Sequence, residues 1–273
     1  MTLEGAERIA SLSDVSGRFD AYLIDQFGVL HDGVRPYPGA IAALRGLKET
    51  GARIALVSNS GKRAASNIAR LRKLGFPDES YDAFITSGEV AWSLLRSGAV
   101  YVPAGANVLH IARGEDRSAL EGLDLSPTDD PEACDLVLIA GSEAERVLIE
   151  AYEARLAEPA SRRVPALCTN PDIVMLTADG PRFGAGEIAR RYEAMGSRVT
   201  WIGKPYPAIY EAAMDALGHP DPLRTLCIGD SLEHDIAGGQ SIGAQTLLVT
   251  GGIPLDEAAA ERIRPTYVAP AFR

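Results

Sequence analysis

Short apolar runs recur along the chain, separated by longer amphipathic stretches. Ala21, Tyr22, Leu23 and Ile24 follow one another without a polar break, the pattern of a strand buried on both faces. Residues 54–57, 83–85, 199–202, 225–228 and 245–249 have the same character and are expected as strands. Between them, residues 39–50 place Ile41, Leu44 and Leu47 three apart with Gly51 as a stop, which predicts a helix. Residues 62–74, 89–96 and 207–217 are also expected to be helical. The middle of the chain repeats the theme, with expected strands at 108–111, 136–139 and 166–168 and a helix over 143–157. Residues 115–135 are rich in Asp, Glu, Pro and Gly and are expected as a surface crossover. Strands alternating with helices imply parallel units with right-handed crossovers, hence an α/β sheet covered on both faces. Ligands on such sheets bind at the carboxyl ends of the strands.

With 46% apolar and 23% charged residues, the 273-residue composition is that of a folded globule, not of a disordered chain. The formal net charge of -10 argues against nonspecific binding to nucleic acid or to an anionic membrane. Cys134, Cys168 and Cys227 form no CxxC pair and are expected as reduced, buried small hydrophobes. The N-terminal residues 1–16 lack the apolar core of a secretory signal, and no apolar stretch reaches the length of a membrane span. A cytoplasmic location is expected.

Reactive groups follow four of the expected strands, Asp25, then Ser58 with Asn59, then Lys204, then Asp230, and are expected together on one rim of the sheet. A carboxylate at the end of a buried strand can attack phosphorus. Asp25 and Asp230 offer a hard divalent cation two carboxylates, and a Lys ammonium with a Ser hydroxyl suits phosphoryl oxygens. Each residue alone reads equally well as a turn former or helix cap. Four compatible groups at four strand ends make a purely structural explanation unattractive.

Asp25-Gln26-Phe27-Gly28-Val29-Leu30, Val57-Ser58-Asn59-Ser60, Gly203-Lys204-Pro205 and Gly229-Asp230 through Asp235 resemble, in order, the four motifs of the haloacid dehalogenase (HAD) superfamily. The match is closest to its class IIA, NagD-like branch, with His31-Asp32, Thr169-Asn170-Pro171-Asp172 and Gly184-Ala185-Gly186 as further matches. The resemblance spans residues 18–252. It implies an α/β fold, a HAD-like Rossmannoid parallel-sheet core with an inserted α/β C2-type cap. The core is expected over 1–87 and 180–273 and the cap over 88–179. The implied activity is Mg²⁺-dependent phosphomonoester hydrolysis of a small phosphorylated metabolite, with neither nucleic acid nor membrane as partner and a homo-oligomer left open. By resemblance, Asp25 is the nucleophile and a metal ligand, and Lys204 stabilises both it and the phosphoryl group. Ser58 and Asn59 hold that group, while Asp230, Asp235 and the Phe27 backbone carbonyl complete the metal site. Asn170 and Asp172 face the substrate, or else form a simple Asn-Pro-Asp turn. Arg63, Arg113, Arg182 and Arg190 are read as surface charges.

The family's usual motif I carries a second Asp two residues after the nucleophile, where it protonates the leaving group. Here that residue is Phe27, which transfers no proton. Three readings stand: His31 or Asp32 replaces the acid; the substrates are activated phosphoesters or acyl phosphates; or the protein is a catalytically weak sensor of a phosphorylated ligand. The metal-binding fourth motif argues against a dehalogenase.

Overall fold

The computed structural model describes residues 5–177, 179–251 and 257–273, so the expectation for residues 1–16 is addressed from Gly5 onward. The chain begins with β1 (Glu7–Arg8), β2 (Ala21–Asp25), α1 (Ala40–Glu49), β3 (Arg53–Ser58), α2 (Ala64–Lys73), β4 (Ala83–Thr86) and α3 (Ser87–Ser97). It continues through β5 (Ala106–Ile111), β6 (Leu125–Thr128), β7 (Leu136–Ile139), α4 (Ile149–Ser161) and β8 (Ala166–Cys168). Then come β9 (Val174–Thr177), β10 (Gly180–Phe183), α5 (Ala185–Ala194), β11 (Val199–Trp201), α6 (Pro207–Ala216) and β12 (Thr225–Gly229). A π turn, Leu232–Ile236, leads into α7 (Ala237–Ser241), β13 (Gln245–Val249), α8 (Glu257–Arg262) and β14 (Tyr267–Ala269).

These elements form two compact units. The first comprises Met1–Ser58, Ala65–Ile85 and Lys204–Arg273, the second Asn59–Ala64 and Thr86–Gly203. The first unit holds a seven-stranded sheet in the order β1-β14-β13-β12-β2-β3-β4. Its central strands β12, β2 and β3 pair in parallel. Every residue of β2 and β12 is buried, as their unbroken apolar runs require of strands covered on both faces. Helix α1 turns Ala40, Leu44 and Leu47 inward, one stripe at helical spacing.

The second unit holds a five-stranded sheet, β11-β8-β7-β5-β6, and the antiparallel β9–β10 hairpin. Leu109, Ile111, Val137 and Ile139 of its central strands share a buried cluster with Leu156 of α4 and Ile188 of α5. Thr86 caps α3 by accepting a hydrogen bond from the Glu89 N–H, and Gly98 ends the helix in the left-handed region at φ 74°.

The expected border at 180 falls inside the second unit. Strand β11 pairs in parallel with β8, so Val199–Trp201 extends the second sheet instead of the first, and the second unit runs to Gly203. The helix expected from residue 143 starts at Ile149: the Arg146 and Val147 N–H groups close a turn on the Glu143 carbonyl, and Leu148 is extended (φ -74°, ψ 155°). Within the stretch expected as crossover, β6 forms an edge strand, where Pro127 removes no bond the sheet needs. All three cysteines are buried free thiols. No helix among the described residues is long and apolar enough to cross a membrane.

Core and surface substitutions should separate sharply. Leu44→Ala, at a fully buried position, is expected to cost about 2–5 kcal/mol. Leu223→Ala, at a position 68% exposed, should stay within about 0.5 kcal/mol of the parent. Urea midpoints at constant slope check both values.

Candidate active site

Three strand ends of the first unit deliver polar groups into a buried setting. Asp25 closes β2 beside Val57 of β3 and is 8% exposed. Ser58 closes β3, and Asp230 follows β12 directly. The π turn after β12 is capped by the Ser231 hydroxyl, which accepts from the His234 N–H at 3.2 Å. That turn brings Asp235 back over the end of β12, where its Oδ2 accepts from the Ser231 N–H at 3.1 Å.

Lys204 is the hub of the cluster. Its Nζ lies 2.5 Å from Asp25 Oδ1 and 2.7 Å from Asp235 Oδ1, with all three residues nearly inaccessible to solvent. Burial works against the lysine charge. Asp235 and Asp25 outweigh it, and the ammonium stays protonated well above its ordinary range. Lys204 reaches this position from the segment after β11, a strand of the second sheet. The expectation that all four groups sit at the rim of one sheet is therefore corrected: its strand does not belong to the sheet that carries Asp25.

Two glycines make the carboxylate packing feasible. A Cβ on Gly28, whose φ is +82°, would fall 1.7 Å from Asp230 Oδ2. A Cβ on Gly229 would fall 2.0 Å from the Asp235 carboxyl carbon. Both positions are occupied by carboxylates instead of by a side chain of their own.

Ligand oxygens of Asp25, Asp230 and Asp235 lie within 4.8 Å of one another. Three carboxylates against one ammonium leave a formal charge of 1 − 3 = −2. The acids feel this. Burial raises the pKa of Asp25 against the pull of Lys204, with Asp235 adding repulsion. Burial likewise raises Asp230, followed by repulsion from Asp25 and Asp235. Hard oxygen donors, converging geometry and uncompensated negative charge fit a divalent cation.

Phe27 is 47% exposed, and its ring meets the His31 ring edge-on at 5.4 Å between centroids. His31 itself is fully buried. The Gly33 N–H donates to its Nδ1 at 2.9 Å, so the neutral ring carries its proton on Nε2, which donates to Gln26 Oε1 at 3.3 Å. Burial, reinforced by Arg70, lowers its pKa to about 4, so it is neutral at pH 7. Asp32 Oδ1 accepts from the Val34 and Arg35 N–H groups at 2.8 and 2.7 Å, a local turn. Both residues expected as substitutes for the acid are thus engaged in building the loop.

In the second unit, Asn59 Nδ2 donates to Asp172 Oδ1 at 2.8 Å, and Asn170 Oδ1 accepts from the Asp172 N–H at 3.1 Å. The Asn-Pro-Asp segment is therefore a turn and, through Asp172, a partner of Asn59. Arg63 pairs with Glu89 and Arg113 with Glu145, so these two, expected as surface charges, are held in ion pairs. Gln26 went unnoticed in the sequence. Its signal was an amide lodged between the nucleophile candidate and an apolar run.

Comparison with known proteins places this arrangement. The family model for haloacid dehalogenase-like hydrolases matches residues 22–126, and a second, HAD-hydrolase-like model matches residues 201–273. Chronophin of Bos taurus is 33% identical over 275 residues, covering 93% of this chain and 88% of that protein. A haloacid dehalogenase-like hydrolase from Brucella suis superposes with a TM-score of 0.87 at 31% identity, covering 97% of this chain and all (100%) of that one. A glycerol phosphate phosphatase from Mycobacterium tuberculosis, solved with calcium, gives 0.70 at 27% identity over 93% of this chain and 74% of its own. The chain belongs to the haloacid dehalogenase-like hydrolases, in the class IIA, NagD-like phosphatase branch.

Proposed function

We propose that this protein is a Mg²⁺-dependent phosphomonoester hydrolase that acts on a small phosphorylated metabolite through an aspartyl-phosphate on Asp25. The observation that carries this reading is the buried Asp25 carboxylate, 2.5 Å from Lys204 Nζ and clustered with Asp230 and Asp235. Asp25 attacks phosphorus as the bond to the leaving oxygen breaks. Water then attacks the aspartyl-phosphate, releasing inorganic phosphate and restoring the carboxylate. Lys204 works against the burial that raises Asp25, favouring its carboxylate form, and donates to the phosphoryl oxygens as their charge rises. Ser58 and Asn59 hold the phosphoryl group, and Asn170 and Asp172 shape the substrate side of the second unit.

Asp25, Asp230, Asp235 and the Phe27 carbonyl would hold the cation. When bound, Mg²⁺ neutralises phosphoryl charge and favours in-line displacement. The calcium found with the Mycobacterium tuberculosis phosphatase supports a divalent ion at this kind of site. The proton for the leaving group has no source at Phe27, and His31 and Asp32 are committed to the loop. Substrates with leaving groups of low pKa suffer least. The same observation favours a second reading, a phosphate-ligand binding protein with weak turnover.

Hydrolysis of para-nitrophenyl phosphate and acetyl phosphate with Mg²⁺ tests the proposal. Wild type should turn over, and Asp25→Asn should lose about 10⁴-fold or more. Phe27→Asp should gain about 10²–10⁴-fold on alkyl phosphates, whose leaving groups need a proton. Turnover confined to Phe27→Asp would favour the binding reading. Gly28→Ala should drive Asp230 out of place and raise the Mg²⁺ concentration for half-maximal activity; an unchanged Mg²⁺ titration would count against Asp230 as ligand. Removal of divalent ions by EDTA should abolish turnover, and Mg²⁺ alone should restore it.

A further inference from the structure

Gln26 is an amide buried to 3% exposure, next to the proposed nucleophile, in a position the hydrolysis reading does not use. Its hydrogen bonds form a chain whose direction is fixed at one end by a backbone group. The Gly33 N–H can only donate, so His31 Nδ1 accepts and His31 Nε2 carries the ring proton. Nε2 therefore donates to the Gln26 oxygen at 3.3 Å, which turns the Gln26 NH₂ toward Ser58 and Asn67. That NH₂ donates to Ser58 Oγ at 2.6 Å and faces Asn67 Oδ1 at 3.4 Å. His31, Ser58 and Asn67 are themselves buried, at 0%, 5% and 1% exposure.

Two consequences follow from this polarity. Ser58 Oγ is an acceptor toward Gln26, so its own hydrogen is directed elsewhere and the hydroxyl is oriented as a donor. The Gln26 amide cannot flip without leaving His31 Nε2–H facing an NH₂, two donors in a buried space.

We propose that Gln26 is a positioning residue: anchored by His31, it sets the orientation in which the Ser58 hydroxyl meets a phosphoryl group. This rests on the reading of Ser58 as a phosphoryl-holding residue. The Gln26 side chain bonds Ser58, not the Asp25 carboxylate, and acts on the phosphoryl group through that hydroxyl.

The test is a double-mutant cycle on binding of inorganic phosphate, which requires no turnover. Calorimetry with Mg²⁺ present compares wild type, Gln26→Met, Ser58→Ala and the double variant, with para-nitrophenyl phosphate hydrolysis run in parallel. Met keeps the length of the side chain and removes the donor, and Gln26→Glu serves as a second probe that keeps the bond from His31. The expected result is a loss of about tenfold in phosphate affinity for Gln26→Met and no further loss when it is added to Ser58→Ala. Multiplying losses in the double variant would overturn the proposal, as would unchanged affinity in a Gln26→Met protein that melts like wild type. Should Gln26→Met fold poorly, Gln26→Glu must show the same dependence on Ser58 or the proposal falls. Wild type that binds phosphate but does not hydrolyse para-nitrophenyl phosphate would overturn the hydrolase reading and leave the cycle to decide on Gln26. Wild type that binds no phosphate would overturn both.

Discussion

The Lys204 ammonium between Asp25 and Asp235 is the constraint around which the first unit's site is organised. Three carboxylates, two of them buried, cannot share so small a volume on hydrophobic packing alone. Removing one partner from a buried ion pair typically costs about 3–5 kcal/mol, because a charge is left uncompensated. Lys204 opposes the burial that raises the Asp25 carboxyl and pairs with Asp235, while Asp230 crowds the same space. The local sequence answers this crowding. Gly28 and Gly229 give up their side chains so that carboxylates can occupy the space, and the π turn folds Asp235 back over the strand end. A cation would complete the balance that one lysine leaves unfinished.

The strands carrying Asp25, Ser58 and Asp230 were legible in the sequence because parallel strands buried on both faces read as unbroken apolar runs. β2 and β12 have no exposed residue, so pattern and structure coincide. Lys204 was legible as a residue and misread as a location. Its strand, Val199–Trp201, has the same apolar-rich appearance, yet sheet membership is decided by pairing with β8, a contact residues away that periodicity cannot express. The edge strand β6 and the second hairpin strand β10 were missed for the opposite reason. β6 spans Leu125–Thr128 and β10 spans Gly180–Phe183, and their central residues are exposed, so neither leaves an apolar run to read. The start of α4 was read too early because residues 143–148 are compatible with helix composition, and only the extended Leu148 separates turn from helix.

His31 illustrates how an ordinary donor–acceptor count can settle a chemical question. An imidazole near a phosphate site invites the role of acid. Here a backbone N–H occupies one ring nitrogen and an amide oxygen the other, in a site from which solvent is excluded. Protonation of Nδ1 would set two donors against each other, and burial already disfavours the charged ring. Asp32 is committed in the same way to two backbone N–H groups. His31 and Asp32 are therefore committed to the conformation of the loop after β2.

That commitment separates two halves of phosphoryl transfer that are usually discussed together. Stabilising charge on the transferring group needs fixed donors and cations, and Lys204 with the acidic cluster fits that half. Delivering a proton to the departing oxygen needs a group that changes ionisation state, and the loop offers an exposed phenyl ring in its place. The energetic cost of lacking that proton grows with the basicity of the leaving group, since an oxygen that is stable as an anion needs none. An aryl oxide or a carboxylate departs as readily from a site lined by Phe27 as from one lined by an acid; an alkoxide does not. On the phosphatase reading of this site, Phe27 in place of an acid would bear on the choice of substrate as much as on the rate.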